Sequence, residues 1–176
     1  SLTVHEARPV GEGSLKKGFE LLKAKLAKEG LFDLDRKRSL PAMPERVGVI
    51  SSTGAAGYAD FMKIANDRFG GVSFMVANVQ VQGSVAADQI IRALDYFNQM
   101  AEPSEVLVIV RGGGSADDLA VFNDEPLVRA IAGSRVPVLT GIGHETDESL
   151  SDLVADMAAV TPSNAAQLLL PDRQVV

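Results

Sequence analysis

RVGVISSTGAAGYADFMKIANDRF, running from Arg46 to Phe69, decides the fold. An apolar run, RVGVISS, meets a turn of small residues and then a segment with helical spacing. Consecutive apolar and β-branched residues bounded by turn signals mark a strand buried on both faces, because a half-exposed strand would alternate. The pattern then repeats. GGVSFMVANVQVQG (70–83) reads as a second strand, and SVAADQIIRALDYFNQM (84–100) as a helix with Ile90, Ile91, Leu94 and Phe97 on one side. EVLVIV (105–110) is a third strand and RVPVLTGIG (135–143) a fourth, with a short helix, EPLVRAIAGS (125–134), between them. Strands alternating with helices predict a three-layer α/β fold, a mostly parallel Rossmann-like sheet with helices on both faces. Right-handed crossovers place every strand-to-helix loop on one edge of such a sheet. Ligands bind there, outside the carboxyl ends of the strands, near a change in strand order. The informative loops are therefore those after Ser51, Gln82, Val110 and Gly141.

Residues 1–44 differ in character and are expected to form a helical linker segment ahead of an α/β core at 45–173. In SLKKGFELLKAKLAKEGLF, Leu15, Phe19, Leu22 and Leu26 fall at spacings of three and four, a helical stripe that Gly30 is expected to end. A basic stretch follows, with Arg36, Lys37 and Arg38 as either solvated linker charges or phosphate contacts, and Pro41 and Pro44 break regularity before the core. The chain begins at Ser1 and stops after LLLPDRQVV, as a piece of a longer protein would.

Composition narrows the chemistry. With 176 residues, 46% of them hydrophobic, the chain is long enough for one sizeable core. It has no cysteine, so a disulfide framework, a thiolate nucleophile and a thiolate metal site are excluded. His5 and His144 are the only histidines, too few for an imidazole metal cluster. No apolar run reaches bilayer length. A net charge of −6 argues against this chain alone gripping a nucleic acid extensively, since phosphate neutralisation needs excess lysine and arginine.

Four loops carry the candidate site. RGGGSADDL, after the third strand, lacks the lysine of a P-loop and the spacing of a dinucleotide fingerprint. Its Gly112, Gly113 and Gly114 still permit backbone N–H groups to converge on an anion, with Arg111 as a bidentate phosphate clamp. The bland alternative is a tight turn, a helix capped by Ser115 or Asp117, and a surface arginine. GIGHETDESLSDLVADM follows the fourth strand and sets His144 among glycines and acids, with Asp147 three residues on. An imidazole there can move a proton, and a carboxylate can fix its tautomer or hold water. Asp152 and Asp156 would share a helical face if SLSDLVADM is a helix. Thr53 and Asp60 follow the first strand; Thr53 either caps or binds an anion, and Asp60 either faces the crevice or is an ordinary exposed acid. Gln82 either bonds substrate or stabilises its loop, and Asn123 is expected to cap the helix at 125–134. TPSNAAQLLLP opens a helix at Thr161 and Pro162.

Taken in order, STGAA (52–56), VQG (81–83), RGGGSADDLAVFNDEPLVRAI (111–131) and PVLTGIGHETDESLSDLVADMAAVTPSNAAQLLLP (137–171) resemble the nuclease domain of bacterial exodeoxyribonuclease VII large subunits. The resemblance covers about residues 8–173 and implies an enzyme that hydrolyses single-stranded DNA in the cytoplasm. It implies Arg111, His144, Asp147 and Asp60 as catalytic residues, the last on a spacing one residue longer than usual. Gly112, Gly113, Gly114, Ser115, Thr53 and Gln82 would meet the substrate. It also implies a preceding OB-type domain, a following long helical segment and a small-subunit partner, and activity that tolerates chelators. No cofactor is then obligatory, with Mg²⁺ an option on Asp60, Asp147 and Asp152. Two other readings stand beside this one: a different phosphoryl or nucleotide enzyme on the same sheet, and a noncatalytic assembly domain.

Overall fold

A computed structural model describes residues 12–68, 71–80, 83–111, 120–143 and 148–170. Helix α1 (Glu12–Lys28) and a 3₁₀ turn at Leu34–Arg36 lead into strand β1 (Arg46–Ser51). Helix α2 (Ala56–Arg68), strand β2 (Ser73–Asn78), helix α3 (Ala86–Gln99) and strand β3 (Val106–Val110) follow. After a 3₁₀ turn at Ala120–Asn123 come helix α4 (Glu125–Ala132), strand β4 (Val138–Gly141), helix α5 (Leu150–Val154), strand β5 (Met157–Ala158) and helix α6 (Pro162–Leu169). The sheet order is β2-β1-β3-β4-β5 and all four pairings are parallel.

Strand alternation sorts the core into two layers. Ile50, Leu107, Ile109 and Val138 face one side, where Ile90, Leu94 and Phe97 of α3 and Leu127, Val128 and Ile131 of α4 cover them. Val47, Val49, Val106, Val108 and Leu139 face the other, under Phe61 and Ala65 of α2 and Ala165, Ala166 and Leu169 of α6. The predicted three-layer parallel fold is present. Gly48 permits the tight packing of the first layer, since a Cβ there would stand 2.6 Å from Leu107 Cδ2 and 3.0 Å from the Phe97 ring.

Two elements differ from expectation. The SLSDLVADM segment is not one helix: α5 stops at Val154, and Met157–Ala158 adds a fifth strand. Asp156 causes the break, because its carboxylate accepts the Val138 N–H at 2.8 Å while its own N–H donates to Val138 O at 3.0 Å. Asp152 and Asp156 therefore do not share a helical face. The second strand, in turn, ends at Asn78, so its exit lies ahead of Gln82, a residue outside those described.

α1 packs onto the first layer. Leu26 is fully buried, with Phe19, Leu22, Leu31 and Phe32 partly buried beside it; burying such a leucine contributes about 1.5–3 kcal/mol. Gly30 ends the helical stretch with a φ of 83°, as expected. Side chains of the basic stretch reach back onto the core rather than standing wholly in solvent. Lys37 Nζ donates to the carbonyls of Leu153 and Ala155 at 2.7 and 2.5 Å, taking the last carbonyls of α5. Arg38 donates through Nε and Nη2 to Asp156 and through Nη1 to Arg135 O. Arg36 donates to Ala132 O at the end of α4. On the surface, Arg129 pairs with Glu29 and Glu125, and hydrogen bonds from its guanidinium hold both carboxyls below their usual range.

Candidate active site

In the order β2-β1-β3-β4-β5 the chain turns from β1 toward β2 on one side and then resumes at β3 on the other. The carboxyl ends of β1 and β3 therefore flank the topological switch point, where α/β sheets bind ligands. Ser51 closes β1 with a fully buried hydroxyl that donates to Val110 O at 2.8 Å, joining the two strand ends. Arg111 leaves β3 at this place, and its N–H donates to Gly141 O at 3.0 Å, extending the ladder to β4. Only 3% of Arg111 is exposed. The surface-arginine reading fails, because a guanidinium is buried only where specific partners repay its desolvation.

The loops after β3 and β4 share both feet. At their start, Arg111 and Gly141 are bonded to each other. At their return, Asn123 Oδ1 accepts the Leu150 N–H at 2.8 Å, and Ser151 Oγ donates to Phe122 O at 2.7 Å. Asn123 thus takes the Leu150 N–H at the start of α5 and does not cap α4, whose cap is Asp124, accepting from Leu127 N–H at 3.1 Å. The chain between one pair of feet contains Gly112, Gly113, Gly114 and Ser115; that between the other contains His144 and Asp147. These six residues, like Gln82, lie outside those described.

Asp152 is 3% exposed beside these feet. Its Oδ1 accepts Thr140 Oγ1 at 2.7 Å, and its Oδ2 accepts Ser149 N–H at 3.2 Å and Ser149 Oγ at 3.0 Å. The sequence suggests Asp152 beside Asp156 on a helical face or as a magnesium ligand, not bonded to the sheet. The signal for the bond was Thr140, the one hydroxyl within the apolar strand VLTG. Among the described residues no group of three His, Asp or Glu side chains is placed to hold a metal ion.

Thr53 lies on the first loop, exposed, with its N–H donated to Asn78 Oδ1 at 3.0 Å. Asp60 is exposed one turn into α2 and makes no ion pair with a described residue. The structure thus joins the exits of β1, β3 and β4 through backbone and hydroxyl bonds, and leaves Asp60 outside that network. On the second face, Gly141 meets the start of α6, where a Cβ would stand 2.8 Å from Ala165 Cβ and 3.1 Å from Thr161 O. Thr161 caps α6 by accepting the Asn164 N–H at 2.9 Å, with Pro162 behind it as expected.

A family model described as "Exonuclease VII, large subunit" matches residues 31–176. The chain belongs to that family. Exodeoxyribonuclease 7 large subunits that it resembles include those of Syntrophotalea carbinolica, 45% identical over 98% of this chain, and Nocardia farcinica, 48% identical over 98%. A third, from Hahella chejuensis, is 47% identical over 93% of the chain. The match covers 43%, 40% and 36% of those three proteins respectively, so the chain spans about two fifths of a large subunit. Among the described residues, no helix is long and apolar enough to cross a membrane.

Proposed function

We propose that this chain is the catalytic domain of an exodeoxyribonuclease VII large subunit, hydrolysing phosphodiester bonds of single-stranded DNA in the cytoplasm. The observation that carries the reading is the buried Arg111 at the β1–β3 switch point, in a chain of this family. A buried arginine at a crevice rim is suited to clamping a phosphate, because its planar fork matches two oxygens at once. In the proposed reaction a water oxygen forms the new bond to phosphorus and the bond to the leaving sugar oxygen breaks. His144 takes the proton from water or gives one to the leaving oxygen, and Asp147 orients it. Arg111 and the Gly112–Gly113–Gly114 backbone stabilise charge on the equatorial phosphoryl oxygens. Ser115, Thr53 and Gln82 line the strand's path, and Asp60 positions water. No step is routed through a metal ion.

The acidic balance fits a domain whose grip on DNA comes from elsewhere in the large subunit: an OB-type domain before it, a long helical segment after it, and the small subunit. Residues 1–44 would then be the connection to the first of these and 45–173 the catalytic core. The test is the full-length large subunit with its small subunit on end-labelled single-stranded DNA, with and without EDTA. The reading expects activity that survives the chelator and is abolished by His144→Ala. Unchanged hydrolysis by His144→Ala, or by an Arg111→Ala/His144→Ala double variant, would leave a noncatalytic domain as the better account.

A further inference from the structure

Resting on the site proposed above, we infer that Asp152 is a positioning residue for the chemistry: one carboxylate that fixes both ends of the segment carrying His144 and Asp147. One foot of that segment is Thr140, at the end of β4, whose hydroxyl donates to Asp152 Oδ1 at 2.7 Å. The other is Ser149, ahead of α5, which donates its N–H and its hydroxyl to Oδ2. Asp152 returns its own N–H to Ser149 Oγ at 3.1 Å.

Half of this arrangement is ordinary. A serine three residues ahead of an acid forms a capping box, and such boxes stabilise helix starts throughout proteins. α5 has one, but it spans only five residues, and its capping acid is buried instead of sitting at the surface. The bond from Thr140 belongs to no capping box. It crosses from the helix to the sheet and converts a cap into a staple between two elements. Thr140 is fully buried, and its neighbour Gly141 accepts the Arg111 N–H, so the staple sets the strand end from which the arginine is also held. A helix start needs none of that. A site in which an arginine and a histidine must meet one phosphate does, because small misplacements of reacting groups cost large factors in rate.

The experiment uses the full-length large subunit with its small subunit. Thr140→Val removes the donor at nearly constant volume, Thr140→Ser restores it, and Asp152→Asn keeps the shape while removing the charge. Turnover is expressed per folded enzyme, with folding followed by circular dichroism. Thr140→Val and Asp152→Asn are expected to lower kcat by about tenfold or more with KM moving less than about threefold, and Thr140→Ser to recover most of the loss. A cap serving stability alone would lower the folded fraction and leave kcat per folded enzyme unchanged. If Thr140→Val does not fold, Thr140→Ala, which removes the same donor with a smaller side chain, takes its place with the same expected loss. Folded variants with parental kcat, measured beside an inactive His144→Ala, overturn the staple and leave the site standing. A fully active His144→Ala overturns both.

Discussion

The contact between Arg38 and Asp156 offers a measurable test of how residues ahead of β1 are built into the fold. Asp156 is 6% exposed at its side chain and accepts four donors: the Arg38 N–H at 2.8 Å, Arg38 Nε at 3.1 Å, Arg38 Nη2 at 3.0 Å and the Val138 N–H at 2.8 Å. Arg38→Ala removes two of these and leaves the backbone pair. Bonds to a charged group contribute about 1.5–3 kcal/mol each when desolvated. Arg38 is 39% exposed, so solvent screening takes back much of that, and about 2 kcal/mol is expected for the substitution. In a domain of this size the same figure corresponds to about 4–8 °C in Tm. Urea denaturation of parent, Arg38→Ala, Asp156→Asn and the double variant gives the coupling, expected at about 1–2 kcal/mol. A coupling below about 0.3 kcal/mol would refute the reasoning, since residues in direct contact then behave as if far apart.

The same contact predicts a pH dependence. Burial alone would raise the Asp156 carboxyl, but hydrogen bonds from the Arg38 side chain, the Arg38 N–H and the Val138 N–H outweigh it and hold it below its ordinary value of 3.8. A carboxyl depressed on folding contributes stability that is present above its unfolded value and lost as pH falls through its folded one. The gap between parent and Asp156→Asn should therefore be constant above pH 3.8 and shrink below it; a gap that widens with acid would contradict the assignment. Gly141→Ala should destabilise by about 1–3 kcal/mol, because the added methyl meets Ala165 and the backbone of Thr161 rather than a flexible side-chain end. An unchanged urea midpoint would show that α6 can move away freely. Asn123→Ala should cost about 1 kcal/mol by leaving the Leu150 N–H at the start of α5 without its acceptor, with Asn123→Asp recovering most of it; equal losses in both would argue against the contact.

Much of this architecture could be read from patterning. β1, β3 and β4 are nearly continuous buried runs because central strands of a parallel sheet covered on both faces have no face in water. The edge strand β2 instead alternates and leaves Met75 exposed. Met157–Ala158 escaped notice because two residues carry no periodicity, and the preceding LSDLVAD looks helical until Asp156 turns to cap β4. The contacts of Arg36, Lys37 and Arg38 were hidden for a related reason. Their partners are mostly carbonyl oxygens near the ends of α4 and α5, about a hundred residues away, and backbone acceptors leave no mark in the sequence. At the rim, placement of the β1 and β3 exits followed from crossover handedness alone. Burial of Arg111 did not, since an arginine after a strand reads equally as surface charge. Asn123 reads as the cap of α4, but Asp124 holds that place, and the fold instead brings Asn123 to the Leu150 N–H at the start of α5.

The most direct measurement is single-turnover hydrolysis of end-labelled single-stranded DNA by the full-length large subunit, assembled with its small subunit and carrying Arg111→Ala. With a guanidinium clamping the phosphate where charge develops, the cleavage rate should fall by at least about a hundredfold while DNA affinity changes far less. Cleavage at close to the parental rate by folded Arg111→Ala enzyme would mean that the buried arginine at the switch point serves the fold alone, and that the catalytic centre lies elsewhere.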